Sequence, residues 1–325
     1  MKTIISIGDF IDSYHKVRLN GIGFLLGRLF GMTLESKVNR AWSRSHDMSP
    51  EWWIVPKLQK RGRKIISGDE NVGFPEYFVK KYLKNKSGLR MLSPGCGSGT
   101  KEIEYAKYNN FELIEGFDIS EHNIKAAKNH VLKSGYTNLN FFVGNIYEFE
   151  FESDCYDIII FHSSLHHVDN VKALLGKVKK SLKQDGLLVI ATEYVGPNFL
   201  QWSSNQLKVA NKTLKSLLAK YKKRVKSNKI KARIYRPGRL RMLLQDPSEA
   251  VDSENIIPAL REHFNVLEEK MIGGNILSIL LKDIAHNFLN DDQETNDLLN
   301  KLILIEDNFM KENNTSDYIV GIYKK

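Results

Sequence analysis

The chain of 325 residues has only two cysteines, Cys96 and Cys155. Neither has the near neighbours that a zinc site or a disulfide framework needs, so both are expected as reduced thiols in a cytoplasmic protein. No apolar run approaches the ~18 residues of a membrane span. The nearest, residues 21–32 (GIGFLLGRLFGM), is short and is broken by Arg28. The opening MKTIISIGDFIDS carries acids and lacks both a long apolar stretch and a small-residue cleavage site, which argues against a secretory signal. There is no internal repeat and no low-complexity tract. No metal site is expected, because the histidines between 162 and 167 lack a carboxylate set at recognisable spacing.

One absence is local. From Lys208 to Arg241 there are 14 basic residues and no acidic one. The whole chain carries +10; without this segment, 34 basic residues face 38 acidic ones, a balance of −4. One segment therefore makes the chain basic. Leu207, Ala210, Leu214, Leu217, Leu218, Tyr221 and Val225 recur at three- and four-residue steps, which predicts a helix with one apolar face. Its lysines fit a solvated surface, a site for an anionic acceptor, or peripheral membrane contact through 208–241. Nucleic acid is the weakest reading, since no nucleic-acid-binding signature accompanies the charge.

What the chain does have is concentrated at 91–106, MLSPGCGSGTKEIEYA. An apolar approach ends in Gly95, Gly97 and Gly99, and a helical pattern follows at once. Glycines so spaced let the backbone turn sharply and let a ligand lie against bare main chain, with helix N–H groups behind it. A dinucleotide fingerprint would need glycine at 100, where Thr100 stands, and a P-loop would need a Gly-Lys-Ser/Thr ending. The G-x-G-x-G that remains resembles the first motif of class I S-adenosylmethionine-dependent methyltransferases.

The surroundings extend that resemblance. Residues 111–119 (FELIEGFDI) read as a strand ending at Asp118, 19 residues past Gly99. A carboxylate there accepts ribose hydroxyls in Rossmann-like folds. Ser120 reads as the N-cap of a helix over 121–133 that stops at Gly135. A strand over 139–143 precedes Gly144-Asn145-Ile146, and the apolar run 157–161 (DIIIF) reads as a strand buried on both faces. The loop after it is HSSLHHVDN, His162 to Asn170. A helix over 171–182 and a strand over 187–193 complete the pattern.

This order implies an α/β, Rossmann-like open sheet, mostly parallel and seven-stranded, with helices on both faces and N-terminal and inserted helical segments. Strands six and seven are expected at 264–270 and 318–323, and helices at 276–290 and 297–310. The expected divisions are 1–86 (helical cap), 87–196 (S-adenosylmethionine core), 197–262 (basic helical insertion) and 263–325 (last strands with a helical insertion). The resemblance implies cofactor contacts from Ser93, Gly95, Cys96, Gly97, Gly99, Asp118, Ile119, Asn145, Ile146 and His162. Ser93 stands where the family usually has an acid that helps hold the cofactor's amino group. Asn145 stands where an acid often meets the adenine amino group.

Methyl transfer from a sulfonium is an in-line displacement, so catalysis is largely alignment, and an oxygen acceptor also needs a base. His166 and His167 are the candidates, with His162 as alternative; Glu193 and Tyr194 are placed to position an acceptor. Trp42, Trp52 and Trp53 either shape the acceptor pocket or form ordinary core. The motifs EYVGP, DPSEAV and MIGGNIL resemble a bacterial group associated with small molecules and surface glycans. The leading expectation is O-methylation of a small or glycan-type acceptor. N- or C-methylation of a peptide or nucleic acid, or a non-catalytic cofactor-binding role, are its rivals.

Overall fold

The computed structural model describes residues 3–11, 14, 51–225 and 229–325; the apolar run 21–32 and Trp42 lie outside the described residues. In chain order the elements are α1 (Pro56–Ser67), α2 (Phe74–Tyr82), β1 (Leu89–Pro94), α3 (Thr100–Ala106), β2 (Phe111–Asp118), α4 (Glu121–Ser134) and β3 (Leu139–Val143). There follow β4 (Tyr156–His162), α5 (Val171–Ser181), β5 (Leu182–Tyr194), α6 (Ser204–Ser216), α7 (Arg239–Gln245) and α8 (Ile256–His263). The chain ends with β6 (Asn265–Gly273), α9 (Leu277–Leu281), α10 (Gln293–Asn313) and β7 (Tyr318–Lys324), with short 3-10 turns between elements.

The seven strands form one mixed sheet in the order β3-β2-β1-β4-β5-β7-β6. β1 pairs in parallel with β2 and β4, β2 with β3, and β4 with β5. The apolar run at 158–161 is buried throughout, as a central strand with both faces covered must be. Chain progression reverses between β1 and β4: one leads outward to β2 and β3, the other to β5. Ligands in such sheets bind beyond the carboxyl ends of strands at this reversal.

The chain forms two compact units. The α/β core comprises Arg63–Val195, Val251–Lys270 and Ile319–Lys325. One face of its sheet is sealed by Leu174, Leu175 and Val178 of α5 with Ala259 and Leu260 of α8. α4 starts as expected, with Ser120 Oγ accepting from Asn123 N, and ends at Gly135 in the left-handed region (φ 74°). β5 begins earlier than expected, because Leu182 already pairs with Tyr156, with an irregularity before Ile158.

The helical unit comprises Met1–Gly62, Gly196–Ala250 and Met271–Tyr318. Its core gathers Trp52, Leu214, Tyr221, Leu280 and Phe288 among others. Trp52 is buried here, its ring 4.0 Å from that of Trp53 and 5.6 Å from that of Tyr318, so the tryptophan pair is ordinary core. The helix expected from Leu207 onward stops at Ser216, and Tyr221 lies in a separate 3-10 turn. The apolar pattern still describes burial: Ala210, Leu214, Leu217 and Tyr221 are buried, while Leu218 is exposed. The helix expected over 276–290 is shorter. It breaks after Leu281 because Lys282 leaves helical geometry (ψ 130°) and Asp283 is left-handed (φ 67°), and Ala285–Phe288 forms its own turn. The Asp246-Pro-Ser-Glu segment is a turn, in which Asp246 Oδ1 accepts from Ser248 N (3.1 Å) and Ser248 Oγ (2.6 Å). Among the described residues, no helix is long and apolar enough to cross a membrane.

Candidate cofactor and active site

β1 carries the chain out of the sheet at Pro94, and the glycine loop follows. Gly97 has φ 56°, and nothing lies within 4 Å of where a Cβ would stand. Main chain is therefore bare on that side, as close approach of a ligand requires. Gly95 is constrained for the opposite reason: a Cβ there would lie 2.8 Å from the Cβ of Ser164. Ser164 Oγ in turn donates to the Pro94 carbonyl (3.0 Å). The loops after β1 and β4 thus abut at the reversal point.

β2 delivers Asp118 to the same edge. Its Oδ2 accepts from Gly97 N (2.9 Å), and its Oδ1 accepts from Ser120 N (2.8 Å) and Asn123 Nδ2 (3.4 Å). The carboxylate therefore ties the glycine loop to the start of α4. Burial raises its pKa, opposed by the bonds from Ser120, Gly97 and Asn123. Ile119, next to it, is partly exposed. β3 leads into Asn145, whose Oδ1 accepts from Tyr147 N (3.1 Å). One lone pair of that oxygen serves a local turn, and a second remains for another donor. Ile146 packs against the sheet core.

A residue not anticipated from the sequence stands behind the glycine loop. Glu102, in the first turn of α3, is fully buried. Its Oε1 accepts from Ser93 Oγ (2.7 Å), while Oε2 is buried with no partner. Desolvation lifts this carboxyl to about 7, against the lowering bond from Ser93. Two more buried polar atoms lack partners nearby, Tyr105 Oη and His162 Nε2, on rings 5.8 Å apart. Burial lowers His162 to about 3, with the charge of Lys101 a smaller cause. Burial likewise pushes the Cys96 thiol well up, with the Glu102 and Asp118 carboxylates adding to it.

The loop after β4 is organised by one carboxylate. Glu193, fully buried near the end of β5, accepts at Oε2 from Ser164 N and Leu165 N (3.1 Å each). Its Oε1 accepts from His166 N (3.0 Å) and makes a short contact with His166 Nδ1. A carboxylate offers about four lone-pair sites, and these four contacts fill them. Glu193 therefore holds the loop and is not available to position an acceptor. The contact with Nδ1 also sets the orientation of the His166 ring. The rings of His166 and His167 lie 4.0 Å apart, and Tyr194 stands edge-on to His166 at 6.1 Å.

The structure thus brings Gly95, Cys96, Gly97, Gly99, Asp118 and the 162–167 loop to one sheet edge, with Asn145 beyond β3 on that edge. Ser93 is fully buried at the end of β1 and reaches the site through Glu102. These features fit S-adenosylmethionine: bare main chain, a carboxylate after β2, and a buried Glu102 carboxyl oxygen without a partner among the described residues behind the glycine loop.

Comparison with known proteins agrees. Residues 85–267 match the model of a methyltransferase domain. The chain is 35% identical over 112 residues to a ubiquinone biosynthesis O-methyltransferase of Bradyrhizobium sp. (strain ORS 278), covering 34% of this chain and 43% of that protein. It is 26% identical over 134 residues to the uncharacterized methyltransferase YcgJ of Bacillus subtilis (strain 168), covering 41% and 51%. The chain spans about half the length of the curated relatives it matches. A Haemonchus contortus phosphoethanolamine N-methyltransferase 2, solved with S-adenosyl-L-methionine, is 17% identical, covering 82% of this chain and 56% of that one with a TM-score of 0.48. The match over more than half the sequence places the chain in the methyltransferase domain family, whose cofactor is S-adenosylmethionine.

Proposed function

We propose that the protein transfers the methyl group of S-adenosylmethionine to an oxygen of a small-molecule or glycan-type acceptor, with His166 as the base. The observation that carries this reading is the His166–Glu193 pair at the carboxyl edge of β4 and β5. A buried carboxylate on Nδ1 orients the imidazole and stabilises the cation that forms when Nε2 takes a proton. His162 is unsuited, because burial keeps it neutral far below physiological pH. His167 lies against His166, its ring tilted by 43°, and is the second candidate. The similarity to the Bradyrhizobium ubiquinone biosynthesis O-methyltransferase also supports oxygen as the acceptor atom.

When bound, the cofactor supplies an electrophilic methyl group on a sulfonium that departs as a neutral thioether. The chain's own residues do the remainder. Main chain at Gly97 would lie against the nucleoside side, Asp118 would accept ribose hydroxyls, Asn145 would meet the adenine amino group, and Glu102 would receive the ammonium. Ser93 positions Glu102, so the acid usual at the end of β1 is supplied from α3 instead. His166 accepts the acceptor's hydroxyl proton as the new C–O bond forms.

The test is S-adenosylhomocysteine release across phenols, sugars, carboxylates and amines, for the parent protein and His166→Ala. Turnover confined to hydroxylated acceptors and lowered about 10²-fold or more in the variant is expected. Turnover of amines alone, or full activity in both His166→Ala and His167→Ala, would overturn the reading.

A further inference from the structure

The helical unit contains a cavity of about 50 Å³. A single water needs roughly 10–15 Å³ on this measure, so there is room for a small polyatomic ion. Among the described residues the lining is one-sided in charge: Arg224, Lys231, Arg233, Arg236, Arg241 and Lys282 are set against one lining carboxylate, Asp283. Five of the 14 basic residues of 208–241 therefore converge on one cavity.

Several of these cations are fixed in place. Lys231 is 5% exposed, and its Nζ donates to the carbonyls of Ile279 (3.2 Å), Leu280 (3.0 Å) and Lys282 (2.7 Å). Arg236 Nε donates to the Trp202 carbonyl (2.7 Å). Arg224 pairs with Asp283 and Arg241 with Asp9, each at 2.9 Å. Arg233 lies over the Tyr235 ring at 5.3 Å, and among the described residues neither it nor Lys282 pairs with a carboxylate. A second observation is independent of charge. Trp202 lines the same cavity, is 7% exposed, and its indole N–H is buried without an acceptor among the described residues.

A buried N–H without an acceptor is costly to the fold, and gathered cations repel one another. One ligand type answers both: a compact dianion with several acceptor oxygens, which arginine forks and lysine recognise through charge-assisted bonds. We infer that this cavity is a binding site for a phosphate-type oxyanion, formed within the helical unit. It stands apart from the reading of the methyl-transfer site, since it is read without cofactor or turnover.

The test uses the full chain without cofactor, melted at constant ionic strength in chloride, with inorganic phosphate, and with a sugar phosphomonoester. Either phosphate should raise the melting temperature by roughly 2–4 °C at tenfold over its Kd. Tighter phosphomonoester binding assigns the oxyanion to a phosphorylated small molecule; equal binding assigns it to the free ion. Arg233→Gln with Lys282→Gln should weaken phosphate at least tenfold by calorimetry. Trp202→Phe, which keeps the ring and removes the N–H, should weaken it several-fold. Circular dichroism in chloride separates these effects from loss of fold. No response to either phosphate, or an undiminished response in both variants, overturns the proposal.

Discussion

Replacing Glu102 with glutamine separates what this residue costs the fold from what it does for the cofactor. The carboxyl is fully buried, with one oxygen held by Ser93 and the other without a partner. In the unfolded chain it ionises near 4.5, and in the folded chain near 7. Between those values the unfolded state gives up its proton and the folded state keeps it. The stability tied to this group is full below pH 4.5, falls as pH rises through about 7, and is level beyond. The interval corresponds to about 3 kcal/mol. Glutamine keeps the shape and cannot ionise. Urea denaturation should find parent and variant within about 1 kcal/mol at pH 4.5, and the variant more stable by up to about 3 kcal/mol at pH 8.5. Binding should move the other way. S-adenosylmethionine should bind the variant at least tenfold more weakly, a loss of about 1.4 kcal/mol or more. Methylthioadenosine, which lacks the amino-acid end, should bind both equally. Equal affinity for S-adenosylmethionine in the two proteins would refute the assignment, and an unchanged pH dependence would refute the burial argument.

Four further outcomes follow from other contacts. Asp118→Ala leaves the Gly97 and Ser120 N–H groups without their acceptor, so it should cost roughly 2–4 kcal/mol of stability and weaken the cofactor at least tenfold; calorimetry and urea midpoints measure both. Glu193→Gln should lower turnover with a hydroxylated acceptor by roughly 10²-fold while the cofactor Kd changes little, because it disturbs His166 and its loop; an unaltered rate would detach Glu193 from catalysis. Asp317 is buried against Gln206 and Asn275, and burial with the nearby Glu306 charge lifts it to about 8. The melting temperature should therefore fall as pH rises through 8, and Asp317→Asn should flatten that fall. Gly274 (φ 89°) has Tyr318 Cδ2 2.3 Å from a built Cβ, so Gly274→Ala should destabilise by more than about 2 kcal/mol, read by urea denaturation.

What was legible in the sequence is what local chemistry decides. The glycine loop, the Ser120 cap, the Gly135 stop and the strand ending at Asp118 each depend on residues within a few positions. They stand where the pattern put them. The pairs that complete the site join distant positions. Glu193 meets His166 because β4 and β5 pair in one register, Phe161 opposite Ile190, which no local pattern states. Ser93 meets Glu102 because α3 turns its buried face under the loop. A signal for Glu102 did exist: it shares a helical face with Tyr105 and Ala106, both buried, and an acid on such a face calls for a reason. The breaks at Ser216 and Asp283 were hidden because apolar periodicity continues across them while the backbone does not.

The interleaving of the two units has a consequence for how this chain folds. The chain passes from one unit to the other five times, at 62/63, 195/196, 250/251, 270/271 and 318/319. The helical unit buries Trp52 with Phe309, and the core lays its last strand, β7, into the interior of the sheet. Neither unit is a contiguous stretch that a ribosome could finish early or a protease could excise whole. Closure of the helical unit waits on residues 271–318 and that of the core on β7, so ribosome-bound chains short of 318 should leave the sheet of the core open to chaperones.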